Sequence, residues 1–163
     1  MGYIYVPAGQ LIVPDRIGQG GALEDGPRFA IYTALPGSTF STSSATYVDV
    51  LDGTAGPPVA VTFVKTSGSG IPLLVAVGAS PIGIAGVTQA ATLGINDGST
   101  DSDVFENKLG GIATSGRTCC GEKIFPGLAA GSYTFTMRAK MADSSWDVGA
   151  LSGMFLSVME LGL

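Results

Sequence analysis

Apolar residues at every second position are the pattern that most constrains how this chain folds. The clearest case is SYTFTMRAK, where apolar and polar residues alternate without a break: Tyr133, Phe135, Met137 and Ala139 on one side, Thr134, Thr136, Arg138 and Lys140 on the other. Successive side chains of a β-strand point to opposite faces of its sheet, so this segment predicts a half-buried strand. The segment VAVTFVK repeats the pattern with Val59, Val61 and Phe63 on one face. Because no long helical periodicity accompanies these segments, we expect an all-β fold.

Turn signals divide the chain from residue 46 onward into short segments of this kind. GTAGPP follows the segment TYVDVLD, and Asn96-Asp97-Gly98 follows VTQAATLGI. Asn, Asp and Gly tolerate the positive φ angles that tight turns require, so both sites predict chain reversals. Short strands joined by such turns are typical of a sandwich or barrel, and we predict an antiparallel β-sandwich over residues 46–163.

The uncharged stretch 66–96 is long enough to be considered as a membrane span, which needs about 20 apolar residues. Proline and glycine interrupt it repeatedly, at Pro72, Gly78, Pro81, Gly83 and Gly86. Proline lacks the backbone N–H that a helix uses, so we predict buried strands here and no membrane partner. The first ten residues carry no positive charge, so a secretory signal is not expected.

The first 45 residues differ from the rest of the chain. They hold two short apolar runs, at residues 3–6 and 11–13, then the glycine-rich IGQGGALEDGPR, and finally the Ser/Thr-rich LPGSTFSTSSA. Little in this stretch could build a core of its own, so we predict an extended N-terminal arm and linker over residues 1–45. The arm either packs on its own domain as an edge strand and loop, or extends onto a neighbouring subunit as a docking strap.

The charge content of the chain points to self-association. Charged residues make up 13% of the sequence, against about 25% in ordinary soluble domains, so much of the surface must be uncharged. Burial between subunits is one way to keep such a surface from water. The net charge of −5, with only 8 basic residues, argues against a nucleic-acid partner, because phosphate binding relies on clustered Lys and Arg.

The closing segment GMFLSVMEL is apolar on both of its faces, with Met154, Leu156 and Val158 on one and Phe155, Met159 and Leu161 on the other. Two-sided burial is therefore expected, either with a sheet of the domain on one side and a subunit partner on the other, or in a fully internal strand. We predict partner contacts at apolar residues of the arm and of this strand: Tyr3, Tyr5, Leu11, Ile12, Val13, Met154, Leu156 and Val158.

The sequence gives little support for catalysis. It contains no histidine, which removes the usual general base and every Ser-His or Cys-His nucleophile arrangement. The adjacent pair Cys119 and Cys120 cannot join distant segments, and we interpret both as free thiols, which fits assembly in a reducing cytoplasm. We expect that the protein is not an enzyme.

Neither a metal site nor a cofactor site is predicted. Asp101, Asp103 and Glu106 cluster after a turn, but they lack the glycine and the terminal glutamate of a calcium-binding loop, so a solvated acidic loop is favoured. The glycine-rich segments GGALEDG and KLGGIATSG have neither a phosphate-loop nor a dinucleotide-binding spacing.

Four segments, in their order and spacing, resemble the C1q/TNF-like jelly-roll domains that are common in phage structural proteins: residues 73–80, 97–98, 128–138 and 158–161. The resemblance covers residues 46–163 and leaves the arm unmatched. It implies a β-sandwich that commonly forms trimers and serves as a capsid decoration, head-fibre or tail-associated part. It implies no enzymatic activity.

These observations together predict a non-catalytic virion structural protein. The first hypothesis is a homotrimeric decoration or minor capsid protein on the capsid exterior, assembled in the host cytoplasm and attached to the major capsid protein. A second hypothesis is a tail-fibre or baseplate subunit that contacts the host. A third is a carbohydrate-binding or adhesin module that stacks a sugar on Trp146, the only tryptophan.

Overall fold

The computed structural model of the chain describes residues 4–6, 10–12, 29–82, 89–109, 119–141 and 149–161. These residues form β-strands joined by turns, and none of them lies in a helix. The strands are β1 (Ile4–Val6), β2 (Gln10–Ile12), β3 (Phe29–Thr33), β4 (Thr39–Thr42), β5 (Val48–Asp49), β6 (Ala60–Lys65), β7 (Leu73–Ile82), β8 (Gln89–Asn96), β9 (Asp101–Leu109), β10 (Cys119–Phe125), β11 (Gly131–Met141) and β12 (Gly149–Glu160). A search of the described residues finds no helix suited to crossing a membrane.

The strands form two antiparallel sheets. In the first sheet the order is β1-β2-β3-β12-β7-β10, with β4 also paired to β12. In the second sheet the order is β5-β11-β8-β9, with β6 also paired to β11. The main strands thus divide into β3-β12-β7-β10 and β6-β11-β8-β9, the interleaved order of a double-sheet jelly roll. The predicted fold class, an antiparallel jelly-roll sandwich, is confirmed.

Alternating side chains of the two sheets meet in one apolar core. On β11, Phe135 and Met137 are fully buried, and on β6 the predicted inward residues Val61 and Phe63 are buried as well. The ring of Phe135 packs against that of Phe125 with centroids 5.1 Å apart and planes tilted by 55°. Tilted contacts of this kind are a favourable arrangement of aromatic rings.

A bulge in β12 allows this strand to pair with two different strands, β4 and β3, along the same edge. Before the bulge β12 pairs with β4, and after it β12 pairs with β3, while β7 pairs with β12 on both sides of the irregularity. The register shifts between Ser152 and Phe155, where Gly153 has a φ of +55°. Glycine adopts this left-handed conformation without the steric cost that a Cβ brings.

Residues 29–42, placed in the arm by the sequence, lie in the sandwich. Strand β3 pairs with β12 along its length, and Ala30, Tyr32 and Phe40 contribute buried side chains to the core. The sandwich therefore begins before residue 46, and within residues 1–28 the strands β1 and β2 extend the first sheet at the edge of β3. The boundary was misplaced because the partner of β3 is β12, at the far end of the sequence. Whether the preceding residues reach a neighbour stays a prediction.

The loop between β5 and β6 is tied to the end of β3 by Asp52. Its carboxylate accepts hydrogen bonds from the Tyr32 hydroxyl at 2.8 Å and from the Leu35 backbone N–H at 3.2 Å. Burial, and then the hydrogen bond to Asp52, raise the pKa of Tyr32 to about 12. Burial alone would raise the pKa of Asp52, but hydrogen bonds from Ser38, Tyr32 and Leu35 outweigh it and hold this pKa below its usual value.

We expect Asp52→Asn to lower the free energy of unfolding near neutral pH by about 1 to 3 kcal/mol, because hydrogen bonds to an ionised carboxylate are lost. A carboxyl whose pKa is lower in the folded state stabilises the protein above its unfolded pKa. That stabilisation disappears as pH falls through the folded value, so the deficit of the variant should shrink in acid. Urea unfolding at about pH 6 and about pH 3 measures this. An equal deficit at both pH values would contradict the assignment.

Candidate self-association surface

The outer face of the first sheet is almost free of charge. Three rows of paired residues cross β3, β12, β7 and β10 on the side away from the core: Thr33–Phe155–Gly78–Cys120, Ile31–Ser157–Ala76–Glu122 and Phe29–Met159–Leu74–Ile124. Glu122 is the only acidic or basic residue among these positions, apart from the thiol of Cys120. We call these twelve positions the uncharged face.

Aromatic and aliphatic groups shape this face. A Cβ built on Gly78 would lie 2.2 Å from Cε1 of Phe155, so the Phe155 ring lies directly over the backbone of β7. Glycine at position 78 therefore allows the ring to cover the strand. At the edge of the sheet, Ile124 leaves 53% of its surface exposed. Ile124 ends a row of apolar residues, Phe29, Met159 and Leu74, and a contiguous apolar patch of this kind is typical of a surface that a partner covers.

The outer face of the second sheet carries charges that neutralise one another. Arg138 forms ion pairs with Asp49 and, at 3.3 Å, with Asp101. Lys140 lies 3.3 Å from the carboxylate of Asp103 and 4.4 Å from the ring centroid of Tyr47. These partly exposed groups retain access to water. The two broad faces of the sandwich thus differ in chemistry, one suited to water and the other to a partner.

Hydrogen bonding on this charged face shifts two pKa values. The Tyr47 hydroxyl donates to Asp103, and this bond, ahead of the nearby Lys140, lowers the pKa of Asp103. Burial, followed by the same hydrogen bond, raises the pKa of Tyr47 well above its ordinary value. Both groups therefore keep their usual charge states near neutral pH, the carboxyl ionised and the phenol neutral.

The carboxylates of β9 that the sequence grouped together are engaged by protein groups. Asp101 accepts a hydrogen bond from the Asn96 side-chain amide at 2.8 Å and pairs with Arg138, while Asp103 pairs with Lys140. The backbone of Glu106 pairs with Thr92, and its side chain is outside the described part. Within the described ranges, no group of three or more His, Cys, Asp or Glu residues is arranged to hold a metal ion.

The structure changes the predicted partner contacts on β12. Met154, Leu156 and Val158 are each 0% exposed in the core of their own chain, so as partner-contact residues these predictions are wrong. Both faces of the segment are apolar, and the alternation could not show which one turns inward. The opposite face of β12, with Phe155 and Met159, belongs to the uncharged face instead.

The structure describes only some of the predicted contact residues in the arm. In the backbone pairing, Tyr5 lies opposite Leu11 and Leu11 opposite Ile31, which continues the middle row of the uncharged face onto β2 and β1. Ile12 instead pairs with Ala30, a position of the core. Tyr3, Val13 and Trp146 lie outside the described residues. Of the two cysteines, Cys120 is an exposed free thiol and the side chain of Cys119 is not described.

A buried ion pair joins the two sheets at one end of the sandwich, and the sequence reasoning missed it. Lys65 at the end of β6 and Glu160 at the end of β12 lie 3.7 Å apart, with side chains 0% and 5% exposed. The alternation of the sequence could have predicted this pair. Lys65 continues the inward series Val59, Val61 and Phe63, and Glu160 continues the inward series Met154, Leu156 and Val158. Period two places a residue on a face whatever its charge.

Comparison with known proteins gives similarity of fold only. No protein-family model and no curated protein matches the chain. Among solved structures, Eiger TNF from S. frugiperda is 14% identical with a TM-score of 0.43, covering 82% of this chain and 92% of that one. Murine APRIL is 16% identical with a TM-score of 0.42, covering 82% and 100%. VP2 of the infectious bursal disease virus subviral particle is 14% identical with a TM-score of 0.47, and 91% of this chain spans 37% of it.

Proposed function

We propose that this chain is a non-catalytic structural subunit of a virus particle and that copies of it pack together through the uncharged face. The specific form we favour is a trimeric decoration protein on the exterior of a bacteriophage capsid, assembled in the host cytoplasm and bound to the major capsid protein. The observation that carries the proposal is the contrast between the two outer faces, one nearly free of charge and one that carries the ion pairs of Arg138 and Lys140.

Physical chemistry favours burial of the uncharged face. Removing apolar surface from water contributes about 25 cal/mol per Å², before the cost of association. The cores of protein interfaces are depleted of charged residues, as this face is. A second copy is the occupant we favour because most soluble oligomers are symmetric assemblies of one chain. The absence of histidine from the sequence further supports a role without acid-base catalysis.

Ser157→Arg is expected to reduce the solution mass from that of an oligomer to that of a monomer. Ser157 lies in the middle row of the uncharged face, half-buried between Ile31 and Ala76, and an arginine there would be buried in the contact with no carboxylate directly opposite it. The matched control is Thr134→Arg, an exposed outer position of the second sheet, which should leave the mass unchanged. Light scattering gives the mass, and circular dichroism shows whether each variant is folded. A folded Ser157→Arg oligomer would refute the assigned surface.

Removing residues 1–28 tests attachment to the capsid. This truncation removes the edge strands β1 and β2 but none of the described core residues, and we expect a folded oligomer that no longer binds capsids lacking the protein. Co-sedimentation with such capsids, compared with the full chain, measures the loss. Equal binding by the truncated form would assign attachment to the sandwich itself.

The other two hypotheses remain distinguishable by experiment. Labelled antibody on intact particles separates a capsid position from a tail-fibre or baseplate position. Glycan binding that is lost in Trp146→Ala would instead support a carbohydrate-binding module. No contact of the described residues favours either alternative over the capsid.

A further inference from the structure

One carboxylate interrupts the uncharged face. Glu122 lies on the edge strand β10, in the middle row, opposite Ala76 of β7. Its side chain is exposed in the single chain. If the uncharged face is covered by a second copy, this carboxylate lies within or at the rim of the contact, where it loses water.

The described residues next to Glu122 in the sheet supply no compensating positive charge. Across the sheet, the outward positions of β7 are Leu74, Ala76 and Gly78, and along β10 they are Cys120 and Ile124. The adjacent Lys123 is turned toward the other side of its strand, where its ammonium donates to Ser102 and lies 5.1 Å from the Phe125 ring centroid.

The other charged side chains that the structure describes near this edge already have partners. On the neighbouring edge strand β9, Asp101 pairs with Arg138 and Asp103 with Lys140, both on the outer face of the second sheet. At the end of the sandwich, Lys65 is buried beside Glu160. Among the described residues, then, Glu122 has no ion-pair or hydrogen-bond partner, and the only other ionisable group at the twelve positions of the uncharged face is the Cys120 thiol.

We propose that Glu122 makes self-association depend on pH. The inference rests on the proposed packing of copies through the uncharged face. Burying an ionised carboxylate without a partner is unfavourable, whereas the protonated carboxyl can be buried with one hydrogen bond. Charged Glu122 therefore weakens the contact at neutral pH, and protonation strengthens it. The sign follows from linkage, because the associated state binds the proton more tightly than the separate chains do.

The test compares wild type with Glu122→Gln by sedimentation at about pH 7.5 and about pH 5, because the proposed burial of a carboxylate makes association stronger at the lower pH. We expect the dissociation constant of the wild type to fall roughly tenfold or more on acidification, since one pKa unit corresponds to a factor of ten. Glu122→Gln should associate tightly at both pH values. Asp97→Asn is the matched control, because it removes the same unit of charge from a turn away from the face.

Each outcome decides the proposal. Retention of the wild-type pH dependence in Glu122→Gln would overturn it, since the dependence would then come from net charge or from other groups. Weaker association of Glu122→Gln at neutral pH would also overturn it, because it would show that Glu122 binds a cation of the neighbouring copy. Monomers of wild type and variant at both pH values would instead refute the proposed self-association itself.

Discussion

Replacing Lys65 with Met is expected to lower the free energy of unfolding by about 3 to 5 kcal/mol, the usual cost of leaving one member of a buried ion pair alone. The ammonium of Lys65 is held by the backbone carbonyls of Ser67, at 3.0 Å, and Gly68, at 2.6 Å, in addition to the carboxylate of Glu160. Without it, Glu160 stays in the interior with a 3.3 Å hydrogen bond from the Ser67 backbone N–H. One such bond does not replace water around an anion.

The double variant Lys65→Met/Glu160→Leu separates charge burial from packing. If the loss in Lys65→Met comes from an unpaired buried charge, removing the second charge should restore most of the stability, because an apolar pair can replace a buried ion pair at little cost. Lys140→Met is the control for a lysine in a partly exposed pair, and it should change stability by less than about 1 kcal/mol. Chemical denaturation at one protein concentration gives all four values. A double variant as unstable as Lys65→Met would contradict the explanation.

Phe135→Ala is the second large effect, with an expected loss of about 3 to 5 kcal/mol. Phe135 is 0% exposed at the centre of β11, opposite Val61 of β6, and its ring packs on Phe125. Truncation removes the buried ring and leaves a cavity that neighbouring strands cannot close without breaking their pairing.

The neighbouring Thr134→Ala supplies the control for this experiment. Thr134 points outward on the same strand and shares a hydrogen bond of 2.9 Å with Thr62, so its loss should cost no more than about 1 kcal/mol. Denaturant unfolding of the two variants side by side measures the contrast. Similar losses for both would mean that the inward and outward faces of β11 are assigned the wrong way round.

The sequence alone was sufficient for the fold class because alternation is a local property. Phe135, Met137 and Val61 are buried as their positions in period-two segments predict. Alternation does not show with which other strand a segment pairs. Residues 29–42 were misplaced for that reason, since their burial depends on pairing with β12, far away in the sequence.

The sequence predicted that the protein has an uncharged surface suited to a partner, but it did not predict correctly which residues form that surface. The low charge content indicated a covered surface, and the two apolar faces of β12 indicated where to look. Which face is inside depends on the whole sandwich, where the inward face of β12 meets a core that already holds Val75 and Val77 of β7. The Lys65–Glu160 pair could have been found by extending two alternations by one step each. Their proximity, however, depends on how the sheets stack.

The central position of β12 has a consequence for the order of events in the cell. This strand supplies the middle of the uncharged face and separates β3 from β7, so the surface exists only after β12 has inserted between strands made long before it. During synthesis, the facing edges of β3 and β7 remain unpaired, a state in which strands readily pair with the wrong chain. On the proposed self-association, copies of the protein can therefore recognise one another through this face only after β12 of each copy has inserted between β3 and β7.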